Sequence, residues 1–165
     1  MIKKKVCLLG APAVGKSSLV RRFIHGIFDE RYLSTIGVKI DRKSLTVGSQ
    51  DVTLMVWDLH GEEANAPVRG SYLRATAGAL LVADGTRPAT LESLRALHER
   101  TREVAGDIPF LVCLNKSDLV DDFLVTDEDV RAAGLEELPL LRTSALDGSG
   151  VERAFAHLAS RLIEG

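Results

Sequence analysis

Residues 5–20 read Lys5-Val6-Cys7-Leu8-Leu9-Gly10-Ala11-Pro12-Ala13-Val14-Gly15-Lys16-Ser17-Ser18-Leu19-Val20, and the fold is decided there. Lys5 to Leu9 is a short apolar run that breaks at Gly10 and Pro12, which predicts a strand running into a loop. Leu19, Val20, Phe23 and Ile24 then recur at helical spacing. Between strand and helix, Gly10-Ala11-Pro12-Ala13-Val14-Gly15-Lys16-Ser17 fits the pattern GxxxxGK[ST]. In that setting the backbone N–H groups of Ala13, Val14, Gly15, Lys16, Ser17 and Ser18 converge on phosphate oxygens, and the helix dipole favours negative charge at the same point. Lys16 is the candidate catalytic cation, bridging β- and γ-phosphate oxygens, and the Ser17 hydroxyl is a candidate ligand for Mg²⁺.

Working outward, Val38 to Val47 and Val52 to Asp58 read as two strands separated by Gly48-Ser49-Gln50, a gap short enough for an antiparallel hairpin whose register stays open. Gly78 to Ala83 is apolar throughout, as a strand covered on both faces would be, and Asp84-Gly85-Thr86-Arg87-Pro88 ends it with turn chemistry. Pro88 suits a helix start, and Leu91, Leu94, Leu97, Thr101 and Val104 form one stripe of that helix. A strand over Phe110 to Leu114, a short helix around Thr126 to Ala133, a strand around Pro139 to Leu141 and a last helix with Val151, Phe155, Leu158 and Leu162 on one face follow. This alternation predicts a mostly parallel α/β domain, with ligands at the carboxyl ends of the strands where strand order reverses. The longest irregular stretches, 26–37 and 61–77, are of a length that is usually functional.

A chain of 165 residues, 45% hydrophobic and 27% charged, is sized for one domain with a buried core, so residues 1–165 are read as a single unit. Twenty-one basic residues against 23 acidic give a net charge of -2, which offers no basic field for nucleic acid. Lys3, Lys4 and Lys5 read as a solubilising approach to an edge or first strand rather than a lipid-binding patch. No run of 18 apolar residues and no signal-peptide pattern occurs, so a cytoplasmic location is expected. Cys7 and Cys113 sit inside predicted strands and are expected to be buried, reduced thiols. Neither a C-terminal prenylation cysteine nor a Met-Gly start is present, so no lipid anchor is expected from the sequence as it stands.

Asp58 ends an apolar strand in Trp57-Asp58-Leu59-His60-Gly61, where its carboxylate can hold a Mg²⁺-bound water across from Ser17 while the Gly61 amide reaches the γ-phosphate. Asn115-Lys116-Ser117-Asp118 follows another buried strand. Asp118 can accept from both the N1–H and the 2-amino group of guanine, two donors that adenine lacks. A site built around such an acceptor rejects the wrong base by as much as ~10⁴ to 10⁵, because the carboxylate would be left unpaired. Lys116 would lay its aliphatic stem along the base, Asn115 would brace the phosphate loop, and the backbone N–H of Ala145, beside Ser144 in Thr143-Ser144-Ala145, would meet guanine O6.

With GAPAVGKS, YLSTIG, WDLHGEE, NKSD and TSA in that order, nearly the whole chain resembles the Ras superfamily of small GTPases, most closely its Ras and Rab branches. The resemblance implies a P-loop NTPase fold: a six-stranded, mostly parallel sheet with one antiparallel strand at about Val38 to Val47, flanked by five helices. It also implies a switch between GDP and GTP, with Mg²⁺ as cofactor; separately, a monomer is expected. Thr35 matches the switch threonine, whose hydroxyl binds Mg²⁺ and whose amide binds the γ-phosphate, so loss of that phosphate releases residues 26–37. Phe28 matches the aromatic that closes the guanine pocket edge-on. Effectors, exchange factors and GTPase-activating proteins would read residues 26–37 and 61–77.

The chain departs from the family pattern where hydrolysis is concerned. Glu62 stands where a glutamine normally orients the attacking water; a carboxylate cannot donate toward the γ-phosphate and adds negative charge where charge is already concentrated. One extra unit charge at ~4 Å in an effective dielectric near 20 is worth up to ~4 kcal/mol, or about a thousandfold in rate. Alternatively Glu62 points into solvent and a partner supplies the catalytic group. Pro12 and Ala13 replace small loop residues, and Pro12 contributes no N–H and stiffens the loop against an incoming arginine finger. His60 lies beside the expected γ-phosphate position, and Arg69 or Arg74 could serve as an internal finger or remain a solvated charge. Two readings follow: a switch that hydrolyses GTP slowly, and a GTP-loaded binding module with negligible turnover. An ATP-dependent P-loop enzyme would require Asp118 to turn from the base.

Overall fold

The computed structural model describes residues 2–26, 38–59 and 70–164. Strand β1 (Ile2–Leu9) feeds helix α1 (Lys16–His25) through the phosphate-loop segment. The hairpin β2 (Val38–Val47) and β3 (Gln50–Leu59) comes next, then the one-turn helix α2 (Gly70–Leu73) and β4 (Gly78–Asp84). Helix α3 (Ala89–Ala105), β5 (Phe110–Asn115), α4 (Asp127–Ala132), β6 (Leu140–Arg142) and α5 (Val151–Glu164) complete the chain, with a short 3₁₀ turn at Val120–Asp122. The sheet order is β2-β3-β1-β4-β5-β6, and among the described residues only the β2–β3 pair is antiparallel. The expected α/β architecture is therefore present, with six strands and five helices among the described residues.

Side-chain alternation along the strands makes two cores from one sheet. On one face Val6 and Leu8 of β1, Leu80 and Val82 of β4, and Leu111 and Cys113 of β5 pack under α1 and α5. Phe23 and Phe155 stack there with ring centroids 3.8 Å apart, tying the two helices together. On the other face Cys7, Leu9, Ala79, Leu81, Ala83, Val112 and Leu114 pack under Leu91, Leu94 and Leu97 of α3 and Val130 of α4. Both cysteines are buried; burial raises the Cys7 thiol above its ordinary range, against the opposing Thr76 hydrogen bond, and pushes Cys113 up to about 12. Helix α4 starts on a reciprocal cap in which Thr126 and Asp129 satisfy each other's backbone amides.

Some boundaries differ from the sequence reading. The hairpin turns on two residues, Gly48 and Ser49, with Val47 opposite Gln50; Gly48 takes φ +62°, which glycine adopts without a Cβ penalty. β6 begins one residue later than expected, at Leu140. β1 extends back through all three lysines to Ile2 and is a central strand, paired with β3 from Ile2–Val52 onward, so the lysines are not the approach to an edge. Lys5 finds partners that make this possible: its Nζ donates to the carbonyls of Tyr72 and Arg74, each at 2.7 Å, and lies 3.8 Å above the Trp57 ring. Within the stretch expected to be irregular, α2 seats Leu73 in the core.

β1 is the strand at which order reverses, with β3 on one side and β4 on the other. Among the described residues, the segments that leave β1, β4 and β5 do so at the carboxyl ends of parallel strands, the edge at which such sheets bind ligands.

Candidate functional site

The loop from Gly10 to Gly15 is shaped by backbone conformations that few side chains tolerate. A Cβ on Gly10 would run into the Val82 carbonyl, and one on Gly15, at φ +102°, would run into the Asn115 side chain. Ala13 is held at φ +63°, the left-handed region, despite its methyl group. Gly15 has no side chain with which to cap α1, and the first turn of that helix carries no acidic residue. The dipole of α1 therefore favours an anion at this end, with no acidic side chain of the first turn to compete for it.

Side chains from neighbouring strand ends hold this loop. Lys16, 7% exposed, folds back to donate to the carbonyls of Gly10 at 2.9 Å and Ala11 at 3.3 Å. Ser17 Oγ hydrogen-bonds Asp58 Oδ2, and Asp58 is buried at the end of β3 beside Leu8. The two predicted metal-site oxygens of the described residues are therefore adjacent. A serine hydroxyl and a carboxylate are hard oxygen donors of the kind Mg²⁺ takes, so the pair fits that ion.

At the other end of the site, Asn115 is buried and plays the bracing part expected of it. Its Nδ2 donates to the Val14 carbonyl at 2.9 Å, and its Oδ1 accepts from Thr143 Oγ1 at 3.2 Å. Lys116 takes φ +69° and donates to the Ala13 carbonyl at 3.2 Å. The Ser117 amide donates to the Thr143 carbonyl at 3.0 Å, which joins the segment after β5 to the segment after β6. Asp118 Oδ1 accepts from Ser144 Oγ at 2.7 Å, while Ser144 and Ala145 are buried beneath it. Ser144 Oγ also accepts from the Asp147 amide at 3.2 Å, so the hydroxyl that steadies Asp118 is itself fixed.

The structure thus brings together Ala13, Val14, Gly15, Lys16, Ser17, Ser18, Asp58, Asn115, Lys116, Asp118, Ser144 and Ala145 at the carboxyl ends of β1, β3, β5 and β6. Phe28, Thr35, His60, Gly61, Glu62 and Arg69 lie outside the described residues. Arg74 is exposed just after α2.

Sequence reading took Asp84 and Arg87 as turn formers and missed their main contacts. Asp84, 1% exposed, ends β4 directly opposite Asn115 and holds Lys116 Nζ at 2.8 Å and Arg87 Nε at 2.9 Å on the same Oδ2. Its Oδ1 accepts from the Thr86 amide and hydroxyl at 2.8 and 2.7 Å. Burial would raise this carboxyl, but Lys116, Thr86 and Arg87 together outweigh it and hold it down at about 2. Arg87 Nη2 reaches on to the Pro12 carbonyl at 3.2 Å. The signal available in the sequence was an ionisable residue closing an otherwise apolar strand.

The Ras family pattern matches residues 5–164. The chain is similar to the Ras-related protein RABA1c of Arabidopsis thaliana, 37% identical over 160 residues covering 96% of this chain and 74% of that one. It is 39% identical to the Ras-related protein RIC2 of Oryza sativa subsp. japonica, over 96% of this chain and 74% of its relative. The human Ras-related protein Rab-4B is 39% identical over 161 residues, 96% of this chain and 76% of that protein.

Proposed function

Because this chain belongs to the Ras family, we propose that it is a guanine-nucleotide switch that cycles between GDP and GTP, hydrolyses GTP slowly or with a partner's help, and exposes its state through residues 26–37 and 61–77. GTPase activity and the binding of GTP and GDP come with membership of the family. The observation that carries the proposal is Asn115: one buried amide bonds the phosphate loop at Val14 and the Thr143-Ser144-Ala145 segment at Thr143, so base recognition and phosphate binding share one rigid frame.

In this reading the base enters against Asp118, whose orientation Ser144 has already fixed, and its O6 meets the Ala145 amide. The phosphates take the amides of residues 13 to 18 and compete with the Gly10 and Ala11 carbonyls for the Lys16 ammonium. Mg²⁺, held through Ser17 and Thr35 and through water on Asp58, would neutralise β- and γ-oxygen charge. Ser17 and Asp58, now bonded to each other, would separate to accommodate it. Thr35 and the Gly61 amide would sense the γ-phosphate, and partners of the exchange-factor, effector and activator classes would bind where those segments order.

The proposed slow rate rests on Glu62 standing where the family has a glutamine. A carboxylate next to the γ-phosphate opposes the charge that builds there and cannot donate to it, so slow single-turnover hydrolysis is expected from the purified protein. Glu62→Gln should accelerate it by about one to three powers of ten, with the electrostatic upper bound setting the top of that range. A wild-type rate that Glu62→Gln leaves unchanged would remove the slow-hydrolysis claim. Nucleotide that co-purifies distinguishes turnover from its absence: GDP supports a cycling switch, persistent GTP a loaded binding module.

A further inference from the structure

We propose that Arg87 is a positioning residue of the phosphate loop: it holds the Pro12 carbonyl outward and thereby keeps the Ala13 amide aimed at the nucleotide's phosphates. The inference rests on the reading of this loop as the phosphate cradle.

Three consecutive loop carbonyls are each taken by a side-chain donor at or just beyond the ends of β4 and β5. Arg87 Nη2 holds Pro12, Lys116 Nζ holds Ala13 and Asn115 Nδ2 holds Val14, at 3.2, 3.2 and 2.9 Å. A trans peptide is planar, with its C=O and the following N–H pointing opposite ways. Drawing those carbonyls toward β4 and β5 therefore turns the amides of Ala13, Val14 and Gly15 toward the cradle.

The Pro12–Ala13 peptide is the one that most needs holding. Ala13 sits at φ +63°, where its Cβ is crowded. Rotating that peptide plane by half a turn would carry Ala13 to a relaxed negative φ and swing its amide out of the cradle. Pro12 leaves ψ free to turn with that peptide, while its ring fixes φ and its missing N–H offers no replacement amide. Arg87 opposes the rotation, and its guanidinium is itself anchored on buried Asp84. Lys116 shares that carboxylate, so the carbonyls of residues 12 and 13 are tied to one charge. Because Arg87 is 46% exposed and Asp84 keeps Lys116 without it, Arg87→Ala should fold.

The test is competition binding of GDP and GMP to the purified chain, wild type, Arg87→Ala and Arg87→Lys, with ³¹P spectra of bound GDP and thermal unfolding alongside. In Arg87→Ala the preference for GDP over GMP should fall about tenfold, the order of one weakened hydrogen bond to a charged group, and the β-phosphorus resonance should shift. Arg87→Lys, which keeps a charged donor, should recover part of both. Introducing Ala13→Gly, which removes the strain at φ +63°, should shrink the effect of Arg87→Ala. Equal weakening of GDP and GMP, an unshifted β-phosphorus resonance, or an Arg87→Ala effect undiminished in the Ala13→Gly background would each overturn the proposal. A wild-type chain that binds neither nucleotide would instead overturn the cradle reading beneath it.

Discussion

The two ends of the site are built differently. At the base end Asp118, Ser144, Asn115 and Thr143 already bond one another in the arrangement that recognition would use. At the phosphate end Lys16 rests on the carbonyls of its own loop and Ser17 on Asp58, contacts that a nucleotide and its cation would have to displace. In the proposed reading, selection of the base is thus prebuilt, with little to reorganise on binding. Grip on the phosphates is an exchange of partners, whose strength depends on the difference between two sets of bonds. A switch benefits from that division, because the group that changes between its states is a phosphate and never the base.

The largest break in this comparison comes at the base end. Asp118→Ala should cost about 10³ to 10⁴ in preference for GTP over ATP, measured by competition, while leaving the phosphate end intact. Asn115→Ala attacks the joint between the ends. It removes two buried hydrogen bonds and leaves Thr143 unpartnered there, so unfolding experiments should record a loss of about 2 to 4 kcal/mol. GDP should also dissociate faster, since Val14 is released at the same time.

The smallest effect is the one that pH resolves. Asp84 is held at about 2 in the fold, below its ordinary value of 3.8, so its contribution to stability is present above pH ~4 and disappears as pH falls through ~2. The stability gap between wild type and Asp84→Asn, followed by denaturant unfolding at stepped pH, should be constant at neutral pH and close only across that acid window. A gap that closed near pH 6 would mean that the Lys116 and Arg87 contacts do not stabilise the charged carboxylate.

What could be read from the sequence was what lies within a few neighbouring positions. The Gly10 to Ser17 loop carries its spacing, its lysine and its flanking strand and helix in one run, and Asn115 to Asp118 follows an unmistakable buried strand. The six strands and the single antiparallel hairpin followed from the same local patterns together with the family resemblance. Contacts between distant positions were hidden. Asp84-Gly85-Thr86-Arg87-Pro88 has every property of a turn, and nothing in it announces that Asp84 faces Lys116 and that Arg87 faces Pro12. Likewise Lys3, Lys4 and Lys5 disguise the first half of a central strand, because a lysine in a sheet can be accommodated when its ammonium finds carbonyls and an aromatic face, as Lys5 does at Tyr72, Arg74 and Trp57. Periodicity registers the charge and cannot register the partner.

The two cysteines, buried in the sheet with their thiols pushed upward, have a practical consequence. Thiol-selective reagents act on exposed thiolate, and neither side chain offers it in the native fold. A cysteine introduced at an exposed position such as Ser71, on α2, would therefore be the preferred attachment point for a fluorophore or spin label, with both native sulfurs left in place. The chain thus comes ready for testing whether that segment moves as nucleotide is exchanged.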